Sequence, residues 1–423
     1  MHRLFPVALL TLLLASCTQG APPAFSEVTP SPAGPVPVAH VDLRALEALR
    51  ASLSSALPVH LHDGNLDLSW GGGSPAAPAG PYSETLAEAD AAALEALRGG
   101  APASTTDAVS TAVTDAFKQL DGPRGGAYLL LADAAHPAPA TGPVDTPLAC
   151  PTPDPAHARP QCLRKQVSDG LLAAWYARDT RMFFHLGETS TVYRPVDAIA
   201  VGAALVVAGF QLHEDSKIDA GSQILQQEMR TSLDDHYGLL YGLVTATAAG
   251  GHSVTDYNAR LADQVGAAEA VLEAFDYSRE AQQQGYAQRL LQPLLDEKFA
   301  PRAPSGGYVE GFDLQSSGPP DNAQSDVLAT VLTLQAARHY DRDDGGRFVH
   351  LEETAAAALL AVIDADRRAG GDPSTGLPAR LLPGGLAQRS GLTTALAITV
   401  LADVVRQLGQ QAPATPPAAS PSA

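Results

Sequence analysis

Apolar residues recur along this chain at the spacing of α-helices, and they do so in two forms. In the first form, only one face of the helix is apolar. The clearest example is a series alternately four and three positions apart: Leu261, Val265, Ala268, Leu272 and Phe275. In the second form all faces are apolar, as in residues 198–210, 327–337 and 392–405. A helix without a polar face has to be buried by its neighbours on every side.

The two forms alternate at a near-constant step. The apolar helices are predicted to begin near Val196, Asn258, Asn322 and Ser390, and their amphipathic partners near Ser216, Ser278 and Val349. Glycine-rich loops with short β-like segments separate the pairs, at residues 237–251, 305–316 and 374–385. A step of about 62 to 68 residues is typical of stacked helical hairpins.

The N-terminal half follows the same pattern less regularly. Helices are predicted at about residues 41–56, 84–98, 105–120 and 162–180, with β-containing loops at 64–73 and 125–133. We therefore expect a single helical domain from about residue 40 to residue 409. The alternative is a separate α/β unit that ends near residue 148.

This arrangement of inner and outer helices, with glycine-rich loops on one face, resembles the (α/α) toroids of the six-hairpin glycosidase group. The resemblance is architectural and covers most of the chain. It implies an all-α fold in which helical hairpins form a toroid-like barrel, with short β pieces in the loops of one face. Closure of the ring would require the first helix, at 41–56, to pack beside the last, at 390–408.

The N-terminus carries a second resemblance. A cationic start at residues 1–3 precedes an apolar run at 4–14, and Leu14-Ala15-Ser16-Cys17 resembles the lipobox of bacterial lipoproteins. The resemblance implies a signal peptide at residues 1–16 and acylation of Cys17, which would anchor the protein to the cell membrane or outer membrane, facing the periplasm or exterior. An ordinary signal peptide is the alternative, and the run is too short to span a bilayer.

Residues 17–39 and 410–423 are rich in proline, alanine and serine, which predicts a disordered tether and a disordered tail. The two remaining cysteines, Cys150 and Cys162, flank a proline-rich stretch. In an exported protein they are expected to form a disulfide. Two free thiols are the alternative.

The charge of the chain excludes two kinds of interaction. The formal net charge is −19, with 27 lysines and arginines against 46 acidic residues. Nucleic acid requires clusters of basic residues, which are absent here. Attachment to an anionic lipid surface by charge is excluded for the same reason, so the membrane would be reached through the lipid alone.

Residues 341–352 resemble an EF-hand calcium loop. Asp341, Asp343 and Glu352 fall at positions one, three and twelve, and Gly346 occupies the turn position. The resemblance makes calcium a candidate cofactor, although position five is a glycine and position nine is Val349. The alternative is a solvated acidic turn between two helices.

A second group of acids is the candidate catalytic site. Glu310 and Asp313 lie in one loop, and Asp235 lies with Asp234 and His236 in the equivalent loop one hairpin earlier. Paired carboxylates act as acid and base in glycosidases. Aromatic residues in the same loops could stack on sugar rings: Tyr237, Tyr241, Tyr308 and Phe312. The alternative interpretation is that the acids are caps or turn residues and the tyrosines are packed.

The remaining motifs give little indication of function. His60 and His62 alternate on a predicted strand without a third zinc ligand, and Trp70 is more simply a loop anchor than a ligand platform. Two hypotheses therefore remain. The first is an envelope protein that processes a glycan with carboxylates, and the second is a non-catalytic lipoprotein that binds a glycan or a partner protein.

Overall fold

A computed structural model gives the fold. It describes residues 41–71, 86–97, 101–118, 126–127, 130–131, 160–175, 192–246, 252–295, 306–319, 324–344, 346–381 and 388–411. Residues Ala39–Ala423 form one compact unit. The predicted signal peptide, Cys17, the tether, Cys150 and the predicted tail from residue 412 onward lie outside the described residues.

Helices dominate the described part of the chain. They are α1 Leu43–Ala56, α2 Leu86–Leu97, α3 Ala103–Lys118, α4 Pro160–Trp175, α5 Pro195–Leu212, α6 Asp215–Thr231, α7 Leu261–Ser278, α8 Ala281–Leu295, α9 Val327–Asp344, α10 Val349–Arg368 and α11 Gly391–Gln411. Short 3₁₀ turns cover Leu57–His60 and Pro373–Thr375.

The strands are short. They are β1 Leu61–His62, β2 Asn65–Leu66, β3 Ser69–Trp70, β4 Val192–Tyr193, β5 Leu243–Ala246, β6 His252–Asp256, β7 Asn258–Arg260, β8 Gly311–Asp313, β9 Ser325–Asp326, β10 Arg380–Leu381 and β11 Arg389–Ser390. All of their pairings are antiparallel.

The apolar helices form the inner wall of the fold. Helices α5, α7, α9 and α11 begin at residues 195, 261, 327 and 391, which gives steps of 66, 66 and 64 residues. Each packs against the next, and α11 packs against α2. The outer helices α6, α8 and α10 each pack on the inner helix that precedes them. The predicted (α/α) toroid of helical hairpins, with short strands in its loops, is therefore confirmed.

Close backbone contact holds the first of these hairpins together. A Cβ atom placed on Gly221 of α6 would lie 2.4 Å from the carbonyl oxygen of Gly202 in α5. Since two backbones cannot approach so closely with a side chain between them, glycine is required at this crossing. The adjoining turn is equally tight, because His213 ends α5 in the left-handed conformation and α6 starts two residues later.

The ring closes between the two ends of the described chain. Helix α1 packs against α11, and β3 pairs with β11, so that Trp70 lies opposite Arg389. An outer helix from the beginning of the chain therefore completes the hairpin of the last inner helix. This is the closure that the six-hairpin resemblance requires.

One helix of the described residues, Pro195–Leu212, is long and apolar enough to cross a membrane. It is α5, and 83% of the segment is buried inside the fold. Its composition is what burial among the other helices requires.

Candidate functional site

The short strands collect at one end of the ring. Strands β4, β7, β9 and β11 each end one or two residues before the start of an inner helix, and each pairs with a strand that follows an outer helix. The N-termini of the inner helices therefore point toward these strands. We call this region the strand end, and the region at the C-termini of the inner helices the far end.

A buried ion pair joins the first two inner helices at the strand end. Arg194 precedes α5, and its guanidinium lies 2.5 Å from Asp263 in the first turn of α7 and 4.0 Å from Asp197 in the first turn of α5. All three residues are buried. Burial raises the pKa of Asp263 to about 7, against the opposing effect of Arg194.

A second group of charges lies near the start of α9. Glu310 forms an ion pair with Arg380 at 2.7 Å, and both side chains are partly exposed. Asp326 is buried at the start of α9, where its carboxylate accepts the backbone N–H of Ala329 at 2.8 Å. Burial raises the pKa of Asp326 to about 6, although this N–H and the charge of Arg380 act in the opposite direction.

The backbone fixes the position of Glu310. The first residue of α7, Leu261, donates its N–H to the carbonyl of Glu310, and Asp326 donates its N–H to the carbonyl of Tyr308. Residues 308–310 therefore bridge the starts of two neighbouring inner helices. Consequently the carboxyls of Glu310 and Asp326 lie in one electrostatic cluster, in which the charge of Glu310 helps to raise the pKa of Asp326.

Asp313 has a different role in the structure. Its carboxylate accepts the backbone N–H of Gln315 at 2.9 Å and the hydroxyl of Ser316 at 2.8 Å, which closes the turn after β8. These bonds hold the pKa of Asp313 below its usual range. Aspartate is favoured at such turns because its side chain bonds its own backbone. Its catalytic role stays a prediction.

The loop that follows α6 packs against the loop that follows β8. Tyr237 donates its hydroxyl to Ser317 at 2.6 Å, and its ring lies 5.2 Å from that of Phe312. Asp234 accepts the backbone N–H of His236 and of Tyr237, so it closes a turn of its own. The structure therefore brings together the two loops in which the sequence placed the candidate site.

The other candidate residues of these loops differ in exposure. Asp235 is exposed. Tyr241 is partly buried, and burial together with the charges of Asp234 and Asp235 raises its pKa. Tyr308 is almost fully buried, in contrast to its predicted contact with a ligand, because its side chain is part of the main core.

The segment predicted to bind calcium has a different backbone from an EF-hand loop. Helix α9 continues through Asp341 and Asp343 to Asp344, so these positions form a helical turn instead of a loop. Asp341 accepts the backbone N–H of Phe348 at 2.6 Å, and Glu352 is fully buried in the first turn of α10. Burial raises the pKa of Asp341 to about 6 and that of Glu352 to about 7.

His60, His62 and Trp70 stabilise the closure of the ring. Both histidines lie near Asp67, at 3.4 and 3.2 Å. The ring of Trp70 stacks on His60 at 3.8 Å, and its indole N–H donates to the carbonyl of Thr375 at 2.6 Å. This arrangement agrees with Trp70 as a loop anchor. Of the predicted disulfide, only Cys162 lies in the described residues, within α4.

The far end holds a polar cluster that the sequence analysis missed. His339 of α9 lies between Glu269 and Asp276 of α7, with Glu273 nearby. Burial opposes protonation of His339, but the carboxylates of Glu269 and Asp276 outweigh it and raise the pKa to about 10. Burial raises the pKa of Glu273 to about 7.

The repeat step contains the signal that would have revealed these clusters. Polar contacts between neighbouring inner helices join residues separated by about one repeat: Arg194 and Asp263 by 69 positions, His339 and Asp276 by 63, and Arg342 and Asp276 by 66. A search for opposite charges at the 62- to 68-residue step predicted here, with a margin of one helical turn, would have found each pair.

Comparison with known proteins supports the fold. The chain matches no protein family and no curated protein at a significant level. It resembles the unsaturated glucuronyl hydrolase of Bacillus sp. GL1, which degrades glycosaminoglycan, with a TM-score of 0.60 and 10% identity over 86% of this chain and 97% of that chain.

Two further solved structures have the same fold. The α-1,6-mannanase of Salegentibacter sp. HEL1_6 has a TM-score of 0.53 and 11% identity, over 86% of this chain and 99% of that chain. A D-mannose isomerase has a TM-score of 0.55 and 13% identity, over 89% and 100%. At these identities the similarity shows the six-hairpin fold and leaves the activity open.

Proposed function

We propose that this protein processes a glycan at the strand end of the ring, with Glu310 and Asp326 as the acid–base pair. The observation that carries the proposal is that two carboxyls at the starts of neighbouring inner helices have different environments. Asp326 is buried with a raised pKa of about 6, whereas Glu310 is partly exposed and ion-paired with Arg380.

Such a difference is what glycoside cleavage requires. One carboxyl has to hold a proton that it can give to the leaving oxygen, and the other has to act as a base or nucleophile. Asp326 suits the first role because burial favours its protonated form. Glu310 suits the second because its side chain reaches solvent.

The solved structures of similar fold support a glycan as the substrate class. They include a hydrolase of unsaturated glucuronyl groups, a mannanase and a mannose isomerase, all of which act on sugars. From the lipobox resemblance we further propose that Cys17 anchors the protein in the cell envelope, where glycans are abundant.

The alternative function is binding without catalysis. Both acids already have partners within the protein, since Asp326 caps α9 and Glu310 bonds Arg380. A site in which the acids serve the fold would hold a glycan or a partner protein and leave it unchanged.

The test is turnover of defined oligosaccharides by the wild type and by Glu310→Gln and Asp326→Asn. Unsaturated glucuronyl disaccharides and α-1,6-mannan are the first substrates. Each substitution keeps the size of the side chain, and asparagine retains the helix cap. We expect each variant to lose at least about a hundredfold in kcat/KM.

The matched controls are Asp313→Asn and Asp235→Asn, which change acids of the neighbouring loops. If Glu310→Gln and Asp326→Asn keep full activity and one of the controls loses its activity, the catalytic role belongs to the acid that is changed in that control. Glycan binding by the wild type without any turnover would favour the non-catalytic function.

A further inference from the structure

The far end of the ring carries two facing rows of polar side chains. On α7 the row is Glu269, Glu273 and Asp276, and on α9 it is Gln335, His339 and Arg342. Within each row the residues are four and three positions apart, which places them on one face of the helix. Both helices belong to the inner wall, so the rows meet between two neighbouring inner helices.

The contacts converge on the imidazole of His339. Its Nδ1 lies 3.0 Å from Oε1 of Glu269, and its Nε2 lies 3.1 Å from Oδ2 of Asp276. Arg342 also bonds Asp276, and Gln335 donates to Glu269 at 3.0 Å. Both ring nitrogens are therefore held in fixed directions.

The cluster leaves carboxylate oxygens without hydrogen bonds: within the described part of the chain, Oε2 of Glu269 and Oδ1 of Asp276 are buried without a hydrogen-bond partner. Glu273 is only 8% exposed, and the charges of His339 and Arg342 act on its carboxyl. One of its oxygens lies within 4.8 Å of donor atoms of both Glu269 and His339. Burial of carboxylate oxygens without hydrogen bonds is costly, so the convergence of these carboxylates on one imidazole indicates a ligand site.

We propose that Glu269, Glu273 and His339 bind a divalent transition-metal ion, with Zn²⁺ as the preferred ion. One imidazole nitrogen and two carboxylates form a donor set suited to zinc, whereas calcium and magnesium favour oxygen ligands alone. Bonds of about 2.0 to 2.2 Å would bring the three donor atoms to about 3.4 Å from one another. The donors already lie within 4.8 Å.

Asp276 acts as a positioning residue for the metal ligand. With the metal on Nδ1 of His339, the Nε2–H donates to Asp276, an arrangement that orients a ligating histidine. The ion would join α7 to α9 at the end of the ring opposite Glu310. Its role is therefore independent of the proposed glycan chemistry, and it would stabilise the ring.

The experiment uses the full chain, purified without a histidine tag and stripped of metal with a chelator. We measure bound zinc by elemental analysis after dialysis against ZnCl₂, and Tm with and without ZnCl₂. The wild type is expected to bind one zinc ion per chain and to gain about 3 °C in Tm at a hundredfold excess over Kd.

Glu273→Gln is the decisive variant because it removes a ligand oxygen charge and keeps the shape of the side chain. We expect its zinc affinity to fall at least tenfold and its gain in Tm at the same ZnCl₂ concentration to fall to about half of the wild-type gain or less. His350→Gln changes an exposed histidine of α10 outside the cluster and is expected to behave as the wild type does.

Three results would overturn the proposal. These are a wild type that binds no zinc, equal zinc binding by Glu273→Gln and the wild type, and a gain in Tm with CaCl₂ but none with ZnCl₂. Cobalt provides a second readout, since Co²⁺ bound through His339 should give visible absorption bands that Glu273→Gln weakens. A visible spectrum identical in both proteins would contradict the assignment of Glu273.

Discussion

The two ends of the ring bury acidic side chains by different means. At the strand end, Asp263 and Asp326 lie in or just before the first turn of an inner helix, close to Arg194 and Arg380. At the far end, Glu273 and Asp276 lie near the C-terminus of α7, and their neighbours are His339 and Arg342.

The helix dipole explains the difference. The N-terminus of a helix stabilises a negative charge, whereas the C-terminus destabilises it. Backbone N–H groups can therefore stabilise the carboxylate of an acid at the strand end, as the N–H of Ala329 does for Asp326. An acid at the far end needs a cation, and His339 supplies one for Asp276. This need is also why a metal ion suits the far end.

The largest predicted effect compares one arginine from each end. Arg194→Leu removes the buried cation that pairs with Asp263, which should lower the free energy of unfolding by about 3 to 5 kcal/mol. Arg342→Leu removes a half-exposed partner of Asp276 and should cost at most about 1 kcal/mol. Urea unfolding at pH 7 measures both changes. Equal losses in the free energy of unfolding would show that burial of the ion pair does not determine how much it contributes to stability.

The next effect concerns pH. Glu228 is fully buried beside Tyr193 and Ser232, and burial raises its pKa from 4.5 to about 7. The folded protein keeps this proton over a range in which the unfolded chain has lost it. The free energy of unfolding should therefore fall by up to about 3 kcal/mol as the pH rises from 4.5 to 7.

The variant Glu228→Gln isolates this contribution. Its unfolding free energy should depend less on pH than that of the wild type between pH 4.5 and 7, with curves that converge at the acidic limit. Urea titrations at pH 5 and pH 7.5 provide the comparison. Parallel curves for the two proteins would mean that Glu228 is ionised in the fold.

The smallest effect tests the closure of the ring at the strand end. Trp70→Phe keeps an aromatic ring against His60 but loses the indole N–H bond to Thr375. We expect a loss of about 1 kcal/mol, the usual net value of one such bond. Val59→Ala, at a side chain exposed to 69%, is the control and should change stability by less than about 0.5 kcal/mol.

The inner helices could be predicted because their composition allows only one environment. Residues 198–210 are apolar on every face, and the structure buries α5 almost completely. Helix α7 shows the limit of this argument. Its apolar stripe predicts one buried face, yet Asp263, Gln264 and Glu273 are buried as well. Burial of a polar side chain depends on partners that local periodicity does not contain.

Gln264 illustrates how such partners are supplied. Its amide accepts the N–H of Leu240 and donates to the carbonyls of Gly238 and Leu290. These residues lie 24 and 26 positions away in the chain, on both sides of α7.

The calcium prediction failed to give the right backbone for a related reason. Spacing alone does not state where a helix ends, and α9 continues through the residues that an EF-hand would place in a loop.

The pairing of α1 with α11 has a consequence for biosynthesis. More than 300 residues separate the two helices, and Leu46, Leu49 and Leu53 of α1 are buried in the fold. A ribosome adds about 5 to 20 residues per second, so a nascent chain would carry this apolar face without its final partner for roughly 20 to 70 s. Final closure of the ring would therefore be a late, non-local step of folding.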